Sequence, residues 1–129
     1  MYTIRIFLAY KYCERVVHME TKVITGDLRM LGIGRHYLGY HITVQAVQMT
    51  LMDSKRLLCV KQRIFLPLAE QEHCDWRTIE RNIRTVIRRA WHVNRDYLTE
   101  LAGYPITREP TVVEFFEMLS DHVLRRHAS

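Results

Sequence analysis

One stretch constrains this chain more than any other: "CDWRTIERNIRTVIRRAW", residues 74–91. Trp76, Ile79, Ile83, Val86, Ile87, Ala90 and Trp91 step by three and four, which predicts a helix with one apolar stripe. Arg77, Glu80, Arg81, Arg84, Thr85 and Arg88 fall opposite that stripe, and Asp75 is placed to cap the first turn. Between Arg77 and Arg95 there are six arginines and a single acid, Glu80. The dry side requires a bundle to pack on. The wet side is either an ordinary solvated face or a surface meant for a polyanion.

The rest of the chain supplies such a bundle. At 129 residues it fits one domain. Its 48% apolar and 26% charged residues place it with globular rather than disordered chains. Residues 40–53 carry Val44, Val47 and Leu51 at helical spacing, and Asp53 can cap "SKRLLCV". Residues 62–73 read as a helix that starts late or bends at Pro67. A short helix over 95–103 stops at Gly103. Thr111 and Glu114 form a capping box that opens a last helix, with Phe115, Met118, Leu119 and Val123 facing inward. The start differs. Residues 2–9 alternate in a strand-like way, and 15–25 fits a partner strand or a helix, with a hairpin-like arm favoured. A short helix is expected to open at Gly26. The expected architecture is therefore all-α: a compact bundle of about six helices over 26–129, preceded by an extension, 1–25, that pairs as two strands.

Within the bundle, residues 62–92 have helix-turn-helix grammar. A first arm ends near His73, "HCD" makes a short turn, and the arginine-faced helix follows as the reader. Arginine can grip a guanine edge with two hydrogen bonds, so a row of arginines backed by an apolar stripe suits the major groove. The net charge of +5 permits a nucleic-acid partner without requiring one.

The segments "IGRHYLGY", "IERNIRTVIRRAW", "GYPI", "PTVVEFFEML" and the terminal "RRHAS" resemble the C-terminal effector domain of the sporulation stage-zero A response regulator family. The likeness runs from Gly32 to Ser129. It implies a helical, sequence-specific DNA-binding transcription regulator whose reader helix enters the major groove of a short promoter box. Base-reading positions of the family fall on Glu80, Arg81 and Arg84. Lys61, Arg63, Arg77 and Arg88 are added by charge and expected side as phosphate contacts, which set register rather than sequence. The resemblance also implies double-stranded DNA as partner, a bacterial cytoplasmic location on the nucleoid when bound, and self-association on tandem boxes. The last helix or the N-terminal arm would make that contact.

Four departures qualify the likeness. The first thirty residues are too short for the family's receiver domain, so phosphorelay control through this chain is not expected. A basic pair in the first arm is replaced by Glu70 and Gln71. The loop between Gly103 and Pro110 is shorter. Trp76 and Arg77 stand where the family has small residues, with Trp76 expected in the core. An alternative follows: a protein-interaction module that modulates a full-length regulator by heterodimerising or by competing for its boxes.

Other chemistry is not expected. The three cysteines are widely spaced with no CxxC, which argues against a disulfide framework or zinc site. His36/His41 and His122/His127 are five apart, a poor spacing for helical metal ligands. No Walker motif, nucleophile elbow or HExxH occurs, so no enzyme, cofactor, metal or small-molecule substrate is expected. The longest apolar run is short of a membrane span.

Overall fold

A helix that is apolar on every side has to be surrounded, and α2 (Leu38–Met52) is such a helix. It buries Tyr40, Ile42, Val44, Ala46 and Val47 along with Gly39, Thr43 and Thr50. In a computed structural model that describes residues 18–128, it forms a bundle with the other helices. They are α1 (18–30), α3 (Leu66–Gln71), α4 (Trp76–Val93), α5 (Arg95–Ala102) and α6 (Val112–Ala128). A 3-10 turn, Ser54–Cys59, and a π turn, Lys61–Phe65, join α2 to α3. No strand occurs among the described residues. α4 and α6 pack on α2, and α5 closes against both of them.

The start of the chain corrects the hairpin expectation in part. Residues 18–25 belong to α1 rather than to a strand, and α1 runs through Gly26 instead of opening there. The reason is tertiary. Ile24, Leu28 and Leu31 are fully buried and Asp27 nearly so, at spacings that only a helix places on one face. β-Branched residues that suit a strand locally are overridden by that burial. The strand expected over 2–9 lies outside the described residues.

α1 ends in a Schellman motif. Gly32, at φ 81°, donates to the Arg29 carbonyl at 3.0 Å, and Ile33 donates to Leu28 at 2.8 Å. Ile33 is then buried beside Leu28. The expected caps further on are all present. Asp53 accepts from the Lys55 amide at 3.1 Å. Asp75 accepts from the Arg77 amide at 2.8 Å. Gly103, left-handed at φ 79°, closes α5. The Thr111 amide donates to Glu114 Oε1 at 3.0 Å, and Thr111 Oγ1 accepts from the Glu114 amide at 3.2 Å. These bonds, the Thr111 amide first and Arg108 next, hold the Glu114 carboxyl below its ordinary range.

Pro67 explains the irregular run before α3. Proline has no N–H, so the carbonyl four residues back, Arg63, loses its helical donor. Arg56 Nη1 donates to that carbonyl instead, at 2.6 Å. The wider π turn takes up the ring just ahead of α3, whose first positions tolerate proline.

Three helices are fastened by one buried carboxylate. Asp27 of α1 is 2% exposed. Its Oδ1 accepts from the Tyr97 hydroxyl of α5 at 2.5 Å, and its Oδ2 lies 2.7 Å from His122 Nδ1 of α6. Burial, and then the bond to Asp27, push the Tyr97 phenol well above its ordinary range. No helix among the described residues is long and apolar enough to cross a membrane.

Candidate nucleic-acid interface

α3 and α4 form the expected helix-turn-helix pair. The turn uses His73 in the left-handed region, at φ 55°, where glycine would be usual. The Cys74 amide returns to the Ala69 carbonyl at 3.0 Å, which reverses the chain within a few residues. Asp75 then starts α4.

The dry side of α4 is complete. Ile79, Ile83, Val86, Ile87 and Ala90 are each at most 2% exposed. Burying each of the four larger side chains contributes roughly 1.5–3 kcal/mol, against about 1 kcal/mol for the Asp75 cap. Packing therefore fixes where this helix sits, and the cap only fixes where it begins. Its seat also depends on Gly39 of α2. A Cβ at that position would come within 2.7 Å of the Asn82 carbonyl and 2.5 Å of Val86 Cγ2. The sequence offered a signal for this, a glycine inside a helical pattern, which often marks close backbone approach.

The wet side is a shallow concavity lined by Trp76, Arg77, Glu80, Arg81, Arg84 and Arg88, with Thr85. The four arginines lie within eleven residue steps, roughly 16 Å along the helix axis. Arg81 is exposed, and among the described residues its guanidinium has no hydrogen-bond or ion-pair partner. Arg84 Nε stands 3.6 Å from Glu80 Oε1, one turn back on the same face. Thr85 is occupied internally, donating to the Arg81 carbonyl at 2.9 Å.

The residues expected at phosphates divide. Arg77 and Arg88 share the concavity with Glu80, Arg81 and Arg84. Arg88 lies 3.8 Å from Glu109, in the loop before α6, a partner the sequence did not suggest. Lys61 comes over from the π turn, its Nζ 4.5 Å above the Trp76 ring. Arg63 is not part of this surface lining; it donates to Asp53 at 3.1 Å. Two other arginines of this helical region serve packing. Arg89 reaches the Gly32 carbonyl at 3.4 Å, and Arg95 lies 4.1 Å over the Trp91 ring.

Trp76 is half-buried rather than sealed in the core. Its ring runs nearly parallel to Phe65, at 7° with centroids 6.5 Å apart. It thus joins the residue just before the first arm to the start of the second. Neither Phe65 nor Lys61 is near Trp76 in sequence, so no local pattern pointed to this contact.

The family model described as "Sporulation initiation factor Spo0A C terminal" matches residues 24–123. No curated protein matches the chain. A match over most of the chain, on a helical bundle with this helix-turn-helix, shows that the chain belongs to the family of the C-terminal domain of the sporulation initiation factor Spo0A, a family of DNA-binding regulators.

Proposed function

We propose that this chain is a sequence-specific transcription regulator that reads a short promoter box by laying α4 in the major groove. Arg81 and Arg84 would each bind a guanine edge through O6 and N7, and Glu80 would accept from a cytosine amino group. Lys61, Arg77 and Arg88 would hold phosphates and so set the register of the helix, with Arg63 as an outer contact that must first leave Asp53. The observation that carries this reading is the pairing of faces on α4. One side is sealed into the bundle, while the other presents Arg81 with no side-chain partner among the described residues and Arg84 with a 3.6 Å contact to Glu80. A pair that long and exposed is worth a few tenths of a kcal/mol and exchanges readily for a base. Such a role places the protein in a bacterial cytoplasm, on the nucleoid when bound.

The test is a titration of duplexes, recovered from a random pool by selection, over a salt series. Binding to the selected duplex is expected to be tight and to fall steeply with salt, as counterion release requires. Arg84→Ala should cost about 1–3 kcal/mol on that duplex and relax the choice at one base pair. An equal loss on all sequences would assign Arg84 to a phosphate.

A second reading concerns association. Met52, Leu58 and Leu124 are 83%, 83% and 57% exposed, and they line a groove between the end of α2, the 3-10 turn and α6. That apolar patch on the last helix favours contact between neighbouring protomers, or with a related regulator. Leu124→Glu should leave binding to a single box intact while reducing cooperative binding to two boxes, read by gel shift.

A further inference from the structure

We infer that Trp76 is a positioning residue that gathers Lys61, from the π turn before the first arm, and Arg77, from the reader helix, into a single phosphate clamp at the start of α4. This rests on the DNA-reading role proposed above.

The geometry joins the π turn to the start of α4. Phe65 lies nearly parallel to the Trp76 ring, at 7° with centroids 6.5 Å apart. Lys61 Nζ then sits 4.5 Å from the ring centroid, and the Arg77 guanidinium carbon 5.8 Å from it. Lys61 belongs to the π turn and Arg77 to the first turn of α4, sixteen residues apart in sequence. One aromatic ring is therefore in contact with two cations that are distant in sequence.

The kind of partner matters as much as the position. Arg63 donates to the Asp53 carboxylate at 3.1 Å, and Arg88 lies 3.8 Å from that of Glu109. A carboxylate beside a cation offsets its charge, and at hydrogen-bond distance it also occupies N–H donors. Lys61 and Arg77 have no carboxylate within ion-pair distance among the described residues. An aromatic face attracts a cation through its quadrupole and leaves the charge uncancelled, with N–H groups still free to donate. The two head groups are thus restrained without being neutralised, which is what a phosphate contact needs. Less side-chain entropy is then lost when the phosphate arrives.

The experiment uses the full chain and the duplex recovered by selection. Fluorescence anisotropy is measured from low to moderate salt for the wild type, Trp76→Leu, Trp76→Phe, Lys61→Met, and Lys61→Met in the Trp76→Leu background. Trp76→Leu is expected to weaken binding on the order of tenfold at low salt. It should also flatten the dependence of log K on log salt by about one to two, since each phosphate contact contributes about 0.9. Relative affinities for base-substituted duplexes should not change, because the clamp reads no base. Trp76→Phe should recover part of the slope. Lys61→Met should flatten the slope by about one in the wild type, and by much less in the Trp76→Leu background. A wild-type slope in Trp76→Leu, or an equal effect of Lys61→Met in both backgrounds, overturns the inference. If Trp76→Leu does not fold, Trp76→Met supplies a second non-aromatic side chain, and the same slope decides. A wild type that binds no duplex at all overturns the DNA reading itself, an outcome distinct from either of these.

Discussion

Two polar clusters in this molecule use similar side chains to opposite ends. In one, Asp27, Tyr97 and His122 meet inside the bundle, and the carboxylate satisfies both neighbours at 2.5 and 2.7 Å. In the other, Glu80, Arg81 and Arg84 stand on the outer face of α4, where the shortest ionic contact is 3.6 Å. The inner cluster pairs the Tyr97 hydroxyl and one His122 ring nitrogen with a single buried carboxylate. The outer one leaves most of its guanidinium donors to solvent. Polar groups of the first kind hold helices together, and those of the second kind are available for recognition. The contrast predicts that the two clusters fail differently.

The largest expected effect is on the inner cluster. Asp27→Ala leaves the Tyr97 hydroxyl and the His122 ring without their shared acceptor, between three helices. The expected loss is about 2–4 kcal/mol of stability by urea denaturation. Base discrimination by the protein that remains folded should stay the same. A loss of only a few tenths would mean that apolar packing, not this carboxylate, joins α1, α5 and α6.

Gly39→Ala tests the link between the two regions, because it pushes on α4 from behind. The new methyl group would meet the Asn82 carbonyl at 2.7 Å, and the backbone there cannot rotate away. About 1–3 kcal/mol of destabilisation is expected. Unlike Asp27→Ala, it should also alter base choice in the selection, since the whole reader helix is displaced. Unchanged selectivity with lowered stability would show that α4 keeps its seat while its neighbours yield.

What the sequence could and could not show follows the same division. The stripe of α4, the Asp75 cap, the Thr111–Glu114 box and the Gly103 stop all depend on residues within about four positions, and each was legible. α1 was misread because Val23, Ile24 and Thr25 favour a strand locally, while the burial of Ile24, Leu28 and Leu31 favours a helix. The π turn was hidden because Arg56, not a neighbour, meets the carbonyl that Pro67 leaves open. The arginines of α4 were legible as a face, but not by individual role. That Arg63 lies against Asp53, and Arg88 near Glu109, is set by chain segments brought together only on folding.

The capping box offers a smaller and more local test. Bonds to the charged form hold the Glu114 carboxyl below its ordinary value of 4.5. A carboxyl depressed in the fold stabilises it above the unfolded value, and that contribution is lost as pH falls through the folded value. Stability should therefore decline, in part through this group, as pH falls below that ordinary value. Glu114→Ala should cost about 1 kcal/mol at neutral pH. Glu114→Gln keeps an acceptor for the Thr111 amide, so it should lose less and should flatten the acid limb of the curve. An acid limb identical to the wild type's would assign that limb to other carboxylates.

The smallest effect expected concerns Glu109, which stands beside the outer cluster without belonging to it. Its carboxylate is 3.8 Å from Arg88, whose side chain is largely in solvent, and its own is partly so. Such a pair adds at most about 0.2–1 kcal/mol to the fold, so Glu109→Gln should barely move the melting temperature. Its consequence for DNA should be larger than for stability. Removing the acid frees Arg88 for a phosphate and removes a charge that repels the backbone. Affinity at low salt should then rise by about two- to fivefold, and the gain should fade as screening shortens the reach of that charge. The sign is the informative part, because almost every other substitution on this face weakens binding. Weaker binding by Glu109→Gln would mean that Glu109 orients Arg88 toward the groove. Arg88 would then owe its availability to a carboxylate, as Lys61 and Arg77 are proposed to owe theirs to a ring.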